Sequence, residues 1–148
     1  MFLFKKQELL IAESIFTQTT GIRFQDIDAA GFLFFARTFD LFHDAWLAFL
    51  YQYGILLDEV LRQKNWAIPL RHAEADYLLP LVFGETVVIS LTCFHLATQE
   101  ITLGWKIQNT SQQTNTVGQT VHTFIQPQNR QRIAIPKEIC MIFENINT

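Results

Sequence analysis

The hydrophobic positions between residues 34 and 53 are spaced three, four and one apart, which is the spacing of one wide apolar stripe on an α-helix. The stripe consists of Phe35, Phe39, Phe42, Trp46, Phe49, Leu50 and Tyr53. Gly54 follows, where the C-terminus of a helix favours a residue in the left-handed conformation. The pattern therefore predicts one long helix over residues 34–53.

Most of the remaining chain alternates between apolar and polar residues, with the period of two that is typical of β-strands. Residues 100–109 show the alternation most cleanly. The predicted strands cover residues 14–24, 67–79, 85–97, 100–109 and 116–126. Residues 55–65 predict an irregular or short helical connection, and the closing segment from Pro136 favours a short helix. Four successive strands after one helix predict a single α+β domain over residues 1–148, with a mostly antiparallel sheet.

Composition excludes several classes of protein. A chain of 148 residues with 49% hydrophobic content can bury the core of one domain. Its net charge of −3 is unlike that of a nucleic-acid-binding protein. Cys93 and Cys140 form no metal motif and indicate reduced, buried thiols. Because Lys5, Lys6 and Glu8 interrupt the apolar N-terminal segment, we expect a soluble, cytoplasmic protein without a membrane span.

Two carboxylates, Asp26 and Asp28, precede the predicted helix and are followed by Gly31. The free N–H groups at the N-terminus of a helix favour an anion, and they could also polarise a substrate carbonyl. A carboxylate that faces this carbonyl could attack it directly or deprotonate a water molecule. The alternative is an Asp-x-Asp turn whose side chains only cap the backbone. His72 and His122 lie on predicted strands without partners spaced for a metal, so no metal site is expected.

Two motifs about 50 residues apart carry a resemblance to a known family. The first is Arg23-Phe24-x-Asp26-x-Asp28-x-x-Gly31-x-x-Phe34-Phe35, and the second is Tyr77-Leu78-x-Pro80-Leu81-x-x-Gly84-Glu85. Together they resemble hot-dog-fold thioesterases of the 4-hydroxybenzoyl-CoA thioesterase type. The resemblance covers nearly the whole chain and implies a five-stranded antiparallel sheet wrapped around one long helix. Two further segments, His43-Asp44-Ala45 and Ala67-Ile68-Pro69-Leu70-x-His72-Ala73, resemble 1,4-dihydroxy-2-naphthoyl-CoA hydrolases of quinone biosynthesis.

The resemblance also implies roles for individual residues. Asp28 would be the catalytic carboxylate, the backbone N–H of Phe35 would bind the oxyanion, and Asp26 would be structural. The family often has tyrosine at positions 34 and 35, where this chain has phenylalanine. That difference leaves a main-chain role at position 35 intact and excludes a side-chain hydroxyl there.

Further residues are expected to contact the substrate. Gly31 and Phe34 belong to the first motif, and the resemblance implies that both contribute to the substrate-binding site. His43 is either a partly buried structural histidine or a contact of the acyl pocket. In the family that the chain resembles, the region of Arg130 and Arg132 can contact the phosphates of coenzyme A, which suit the planar guanidinium; the alternative is a solvated loop.

The activity implied by the resemblance is hydrolysis of an aromatic acyl-CoA, with 1,4-dihydroxy-2-naphthoyl-CoA of phylloquinone or menaquinone biosynthesis as the favoured substrate. No metal and no cofactor are expected beyond the coenzyme A of the substrate. A homodimer or homotetramer with sites shared between subunits is expected. Two alternatives stay open: a thioesterase for aliphatic acyl-CoA or acyl carrier protein, and a hot-dog domain that binds acyl-CoA without cleaving it.

Overall fold

The computed structural model describes residues 1–147, which form one antiparallel sheet with helices on both of its faces. The strands are β1 (Phe16–Gly21), β2 (Leu70–Tyr77), β3 (Thr86–Leu96), β4 (Glu100–Asn109) and β5 (Thr114–Thr123). The helices are α1 (Lys6–Ile11), α2 (Arg37–Gln52), α3 (Leu57–Gln63) and α4 (Lys137–Ile146). The strand order is β1-β3-β4-β5-β2, with every neighbouring pair antiparallel. The α+β class and the five-stranded antiparallel sheet that we predicted are confirmed.

The central helix α2 packs its apolar stripe against one face of the sheet. Its buried apolar residues are Leu41, Phe42, Ala45, Trp46, Phe49 and Leu50. The ring of Phe42 stacks on Trp105 of β4, with ring centroids 5.7 Å apart and planes inclined by 14°. Burying a side chain of this size stabilises a fold by about 1.5–3 kcal/mol, so this stripe of large side chains forms the centre of the core.

The helix is shorter than the predicted span of residues 34–53, because both ends of the predicted stripe lie outside it. The side chain of Phe35 is 60% exposed and that of Tyr53 is 42% exposed. At the N-terminal end, the N–H of Phe34 donates to the carbonyl of Asp26, and the N–H of Arg37 donates to the carbonyl of Phe34. These two bonds hold residues 34–36 in a turn, and the helix begins at Arg37.

The close approach of α2 to the sheet depends on Gly118 in β5. A Cβ atom at this position would lie 2.7 Å from the carbonyl oxygen of Glu74 and 2.8 Å from Cε2 of Phe42. It would also lie 3.2 Å from the Cβ of Ala75. The absence of a side chain therefore lets the Phe42 ring and strand β2 reach the backbone of β5 together.

The opposite face of the sheet is covered by the N-terminal segment, residues 1–12, which includes the unpredicted helix α1. Lys106 Nζ donates to the carbonyls of Leu10 at 2.8 Å and Ala12 at 3.0 Å. The side-chain amide of Gln119 accepts a bond from the N–H of Phe4 and donates one to its carbonyl. Because these partners come from the N-terminal segment, the polar face of β4 and β5 is buried rather than solvent-exposed.

Candidate active site

The first aspartate of the motif, Asp26, is buried and bound by Arg23. Its carboxylate accepts hydrogen bonds from the backbone N–H of Arg23 at 3.0 Å, from Nε at 3.0 Å and from Nη2 at 2.9 Å. The hydrogen bonds from the Arg23 side chain hold the pKa of Asp26 below its ordinary value. Both carboxylate oxygens of Asp26 are engaged, so this residue is positioned for a structural role.

The second aspartate, Asp28, lies in an exposed turn that its own side chain stabilises. Its Oδ1 atom accepts the N–H groups of Ala30 at 2.8 Å and Phe32 at 3.3 Å. The N–H of Gly31 donates to the Asp28 carbonyl, and the φ angle of Gly31 is +86°, which glycine adopts without strain. Within residues 1–147, Oδ2 of Asp28 accepts no hydrogen bond. One oxygen therefore fixes the turn, and the other is available to a ligand.

Free backbone N–H donors lie directly before the N-terminus of α2, a few residues after the Asp28 turn. Among the bonds formed by residues 1–147, none uses the N–H groups of Phe35 and Ala36 as donors. The carbonyl of Phe35, by contrast, accepts the N–H of Thr38 at 3.3 Å and the hydroxyl of Tyr77 at 2.9 Å. Unpaired amides ahead of the first helical turn are suited to bind an oxyanion.

Asp28 and Phe35 line one open cleft of about 310 Å³. Thr116, a buried residue of β5, also lines the cleft. The rest of the wall is aromatic and aliphatic: Phe32, Leu33, Tyr77, Leu78, Leu79, Pro80 and Leu81. A cleft of this size, mostly apolar with a few polar groups, is typical of a small-molecule site. It can hold a flat apolar group beside a carboxylate and the entrance to a helix.

The structure leaves other predicted site residues outside this cleft. Gly31 shapes the Asp28 turn, and the ring of Phe34 packs edge-on against Phe35 with ring centroids 4.7 Å apart. Arg130 and Arg132 are exposed on the segment after β5, and neither lines the cleft. Arg130 adopts a left-handed conformation, with a φ angle of +58°. The structure therefore brings together Asp28 and Phe35 but does not bring these four residues to the cleft.

His43 lies at a second, much smaller cavity between α2 and the sheet, of about 30 Å³. It is exposed, which differs from the partly buried position that we considered. Its neighbour in this cavity, His122, is 3% exposed and lies 3.1 Å from the hydroxyl of Thr120. Burial, with a smaller effect of His43, lowers the pKa of His122 to about 4. His122 is therefore neutral near pH 7 and belongs to the core.

Tyr77 and Thr116 were not singled out by the sequence analysis as site residues. Tyr77 belongs to the second motif and ends a strand whose preceding alternate positions are the small residues Ala73 and Ala75. The sequence signal that could have identified Tyr77 is a large polar aromatic residue that follows two alanines on the same face of a strand. Burial raises the pKa of Tyr77 further above neutral pH, where a tyrosine is already protonated, so its hydroxyl can donate a hydrogen bond. Thr116 gave no signal, because it lies within an ordinary strand pattern.

Residues 1–147 contain neither a metal-binding cluster nor a membrane-spanning helix. No group of three or more histidine, cysteine, aspartate or glutamate side chains is arranged to hold a metal ion in this part of the chain. None of its helices is long and apolar enough to cross a membrane.

Comparisons with known proteins bear on the family and the fold of this chain. The sequence profile of the thioesterase-like superfamily matches residues 22–143. A 1,4-dihydroxy-2-naphthoyl-CoA hydrolase from Rippkaea orientalis is 33% identical over 123 residues, covering 82% of this chain and 89% of that protein. A solved 1,4-dihydroxy-2-naphthoyl-CoA thioesterase from Synechocystis superposes with a TM-score of 0.84 at 22% identity, covering 90% of this chain and 98% of that one. A Staphylococcus aureus protein solved in complex with CoA gives 0.81 at 18% identity, covering 92% and 85%. The predicted hot-dog fold is confirmed.

Proposed function

Because the chain belongs to the thioesterase-like superfamily, we propose that it hydrolyses the thioester of an aromatic acyl-CoA, with 1,4-dihydroxy-2-naphthoyl-CoA of quinone biosynthesis as the favoured substrate. The observation that carries the proposal is the shared cleft of Asp28 and Phe35. It puts a carboxylate and the entrance to a helix against one apolar space. We place the enzyme in the cytoplasm, as the sequence predicts.

Two routes of hydrolysis are compatible with this cleft, and Asp28 acts first in both. In the covalent route, Oδ2 adds to the thioester carbonyl and the C–S bond breaks, which gives a mixed anhydride and the coenzyme A thiolate. Water then hydrolyses the anhydride, and the thiolate takes up a proton. In the water route, Asp28 accepts a proton from a water molecule as its oxygen adds to the carbonyl; the C–S bond then breaks, and Asp28 returns the proton to the departing sulfur, which leaves as the coenzyme A thiol. In either route the N–H of Phe35 donates to the oxyanion that forms.

The aromatic residues in the wall of the cleft favour a substrate with an aromatic acyl group. Phe32, Phe35 and Tyr77 offer ring faces and edges, which favour offset or edge-on contact with another aromatic ring. We propose a naphthoyl group in particular because relatives such as the Rippkaea orientalis protein are 1,4-dihydroxy-2-naphthoyl-CoA hydrolases. Apolar pockets discriminate weakly between related groups, because one methylene changes selectivity by only about 10–200-fold. Benzoyl thioesters are therefore the substrates to compare with the naphthoyl thioester.

The coenzyme A portion of the substrate needs cationic partners outside the cleft. Arg130 and Arg132 are exposed, and within residues 1–147 neither guanidinium forms an ion pair or a side-chain hydrogen bond. Their donors are available to phosphate oxygens. We propose that they bind these phosphates, with Gly31, Phe34 and His43 contributing to the surroundings of the substrate.

We also propose a homodimer, alone or within a homotetramer, in which two sheets join edge to edge. Strand β2 lies at one edge of the sheet, and within residues 1–147 it pairs with β5 alone. Leu70 at its start is 53% exposed and Tyr77 at its end is 50% exposed. An edge strand whose outer backbone groups have no neighbouring strand, and which carries exposed apolar side chains, favours pairing with a second copy. This arrangement would bring residues of the partner subunit to the cleft.

The direct test is release of free thiol from a panel of thioesters. Dihydroxynaphthoyl-CoA and benzoyl-CoA are compared with an aliphatic acyl-CoA and an acylated carrier protein. The proposal expects the largest kcat/KM for dihydroxynaphthoyl-CoA. Preference for the aliphatic or carrier-protein substrate would favour the first alternative. Tight binding without thiol release from any substrate would favour the non-catalytic alternative.

A further inference from the structure

The hydroxyl of Tyr77, at the end of β2, contacts the backbone of Phe35 at the entrance to α2. Tyr77 Oη donates to the carbonyl oxygen of Phe35 at 2.9 Å, although the two residues are 42 positions apart in the sequence. The other hydrogen bond to this carbonyl, from the N–H of Thr38, is longer, at 3.3 Å. The Tyr77 hydroxyl is therefore the closer of the two donors that hold the Phe35 carbonyl.

Little else holds Phe35 in place. Its side chain is 60% exposed, so packing restrains it weakly. The preceding peptide, which carries the Phe35 N–H, is held through the carbonyl of Phe34, which accepts the N–H of Arg37 at 2.9 Å. The following peptide is held through the Phe35 carbonyl by Tyr77. Hydrogen bonds therefore orient the peptides on both sides of Phe35. The peptide that follows Phe35 is held in part by the side chain of Tyr77, which comes from the sheet.

We propose that Tyr77 is a positioning residue for the reaction: its hydroxyl holds the Phe35 carbonyl and so restricts rotation about the backbone torsions of Phe35, which limits how far the preceding peptide and its Phe35 N–H can turn. This inference rests on the proposed function, in which that N–H binds the oxyanion. The donor must point at the place where negative charge develops, and a displacement of about 1 Å can lower a rate by about 100-fold. A hydroxyl bond from a rigid strand supplies this accuracy to a turn that has little packing of its own.

The substitution Tyr77→Phe separates the hydroxyl from the ring, which also lines the cleft. The ring remains, so the wall that faces the acyl group is preserved. We expect kcat to fall about tenfold while KM changes by less than about twofold. Tyr51→Phe is the matched control, because Tyr51 is 69% exposed near the other end of α2 and does not line the cleft. The control should retain the kcat of the unmodified enzyme.

A second measurement uses two inert thioethers of coenzyme A. In the first, a methylene group separates the sulfur from an aromatic ketone, so a carbonyl oxygen is present. In the second, a benzyl group replaces the ketone, so no carbonyl oxygen is present. If Tyr77 orients the donor, Tyr77→Phe should weaken binding of the ketone by about fivefold or more and leave the benzyl thioether unchanged. A merely structural role for the hydroxyl would weaken both analogues alike.

The outcomes separate this inference from the proposed function. A tenfold loss of kcat together with selective weakening of the ketone supports the positioning role. Unchanged kcat in Tyr77→Phe, or equal weakening of both thioethers, overturns it while the hydrolase proposal stands. Failure of the unmodified protein to release thiol from any acyl-CoA overturns the proposed function and this inference with it.

Discussion

Arg23 and Asp26 form a two-point ion pair, with Nε 3.0 Å from Oδ2 and Nη2 2.9 Å from Oδ1. The pair distinguishes two aspartates that differ by only two positions in the sequence. Asp26 is buried and fully bound, whereas Asp28 is exposed and has one oxygen without a partner among residues 1–147. Arg23 therefore holds Asp26 in a structural role, and Asp28 remains available to react with a substrate.

The first prediction concerns Asp28→Asn. An amide can keep the turn bonds from Ala30 and Phe32, but it can neither attack a thioester nor accept a proton from water. We expect kcat to fall by roughly 10²–10⁴-fold, with an unchanged melting temperature and little change in substrate affinity. The measurements are thiol release and thermal unfolding.

The control for this variant is Asp58→Asn, since Asp58 is exposed on α3 and forms an ion pair with Arg62, which is also exposed. That substitution should leave turnover intact. Full activity in Asp28→Asn would remove Asp28 from the mechanism.

The second prediction concerns Asp26→Asn, which removes the charge bound by Arg23. We expect the free energy of unfolding at pH 7 to fall by about 1–2 kcal/mol, a low value for a charged hydrogen bond because solvent screens the arginine. Because the folded-state pKa of Asp26 is lowered, its contribution is present above the unfolded-state pKa and is lost as the pH falls through the folded-state pKa. Urea unfolding should therefore show the variant and the unmodified protein converging in acid. A purely catalytic loss at unchanged stability would contradict the structural role of Asp26.

The third prediction concerns the pH dependence that His122 contributes. Its folded-state pKa of about 4 is lower than that of an ordinary histidine, so between about pH 6.5 and 4 the unfolded chain binds a proton that the folded protein does not. Stability should therefore fall as the pH is lowered through this window, by up to about 3 kcal/mol from this group. In His122→Gln that part of the decline should be absent, as urea unfolding at pH 7 and pH 4.5 will show. An equal decline in both proteins would contradict the assignment.

The fourth prediction concerns Gly118→Ala. The added methyl group would meet the Glu74 carbonyl at 2.7 Å, and backbone cannot move aside as a flexible side chain can. We expect destabilisation of about 1–3 kcal/mol, measured by thermal or urea unfolding. Gly21→Ala is the matched control, because the nearest atom to its new Cβ would be the Glu85 carbonyl oxygen at 3.9 Å. Equal stability of the two variants would show that α2 does not need the space at Gly118.

The helix and the strands could be predicted from the sequence because each leaves a periodic signal within itself. The stripe around Phe42 and Trp46 specifies a helix, and the alternation over residues 100–109 specifies a strand that the structure has at those bounds. Helix α1 escaped prediction because six residues carry too short a pattern. Part of what holds it is the bond from Lys106 to the carbonyl of Leu10, and that bond comes from strand β4.

The candidate site likewise has features that local sequence predicts and features that only tertiary contacts establish. The turn that holds Asp28 follows from local chemistry, since an aspartate and a glycine three residues later suffice to build it. The sequence by itself therefore determined the secondary-structure framework and the two aspartates. Only the tertiary structure decided that Arg23 occupies both oxygens of Asp26, that Tyr77 reaches Phe35, and that Gly118 admits the Phe42 ring. The last two contacts join residues far apart in the chain, and no local periodicity encodes which distant side chains meet once the sheet and the helix pack together.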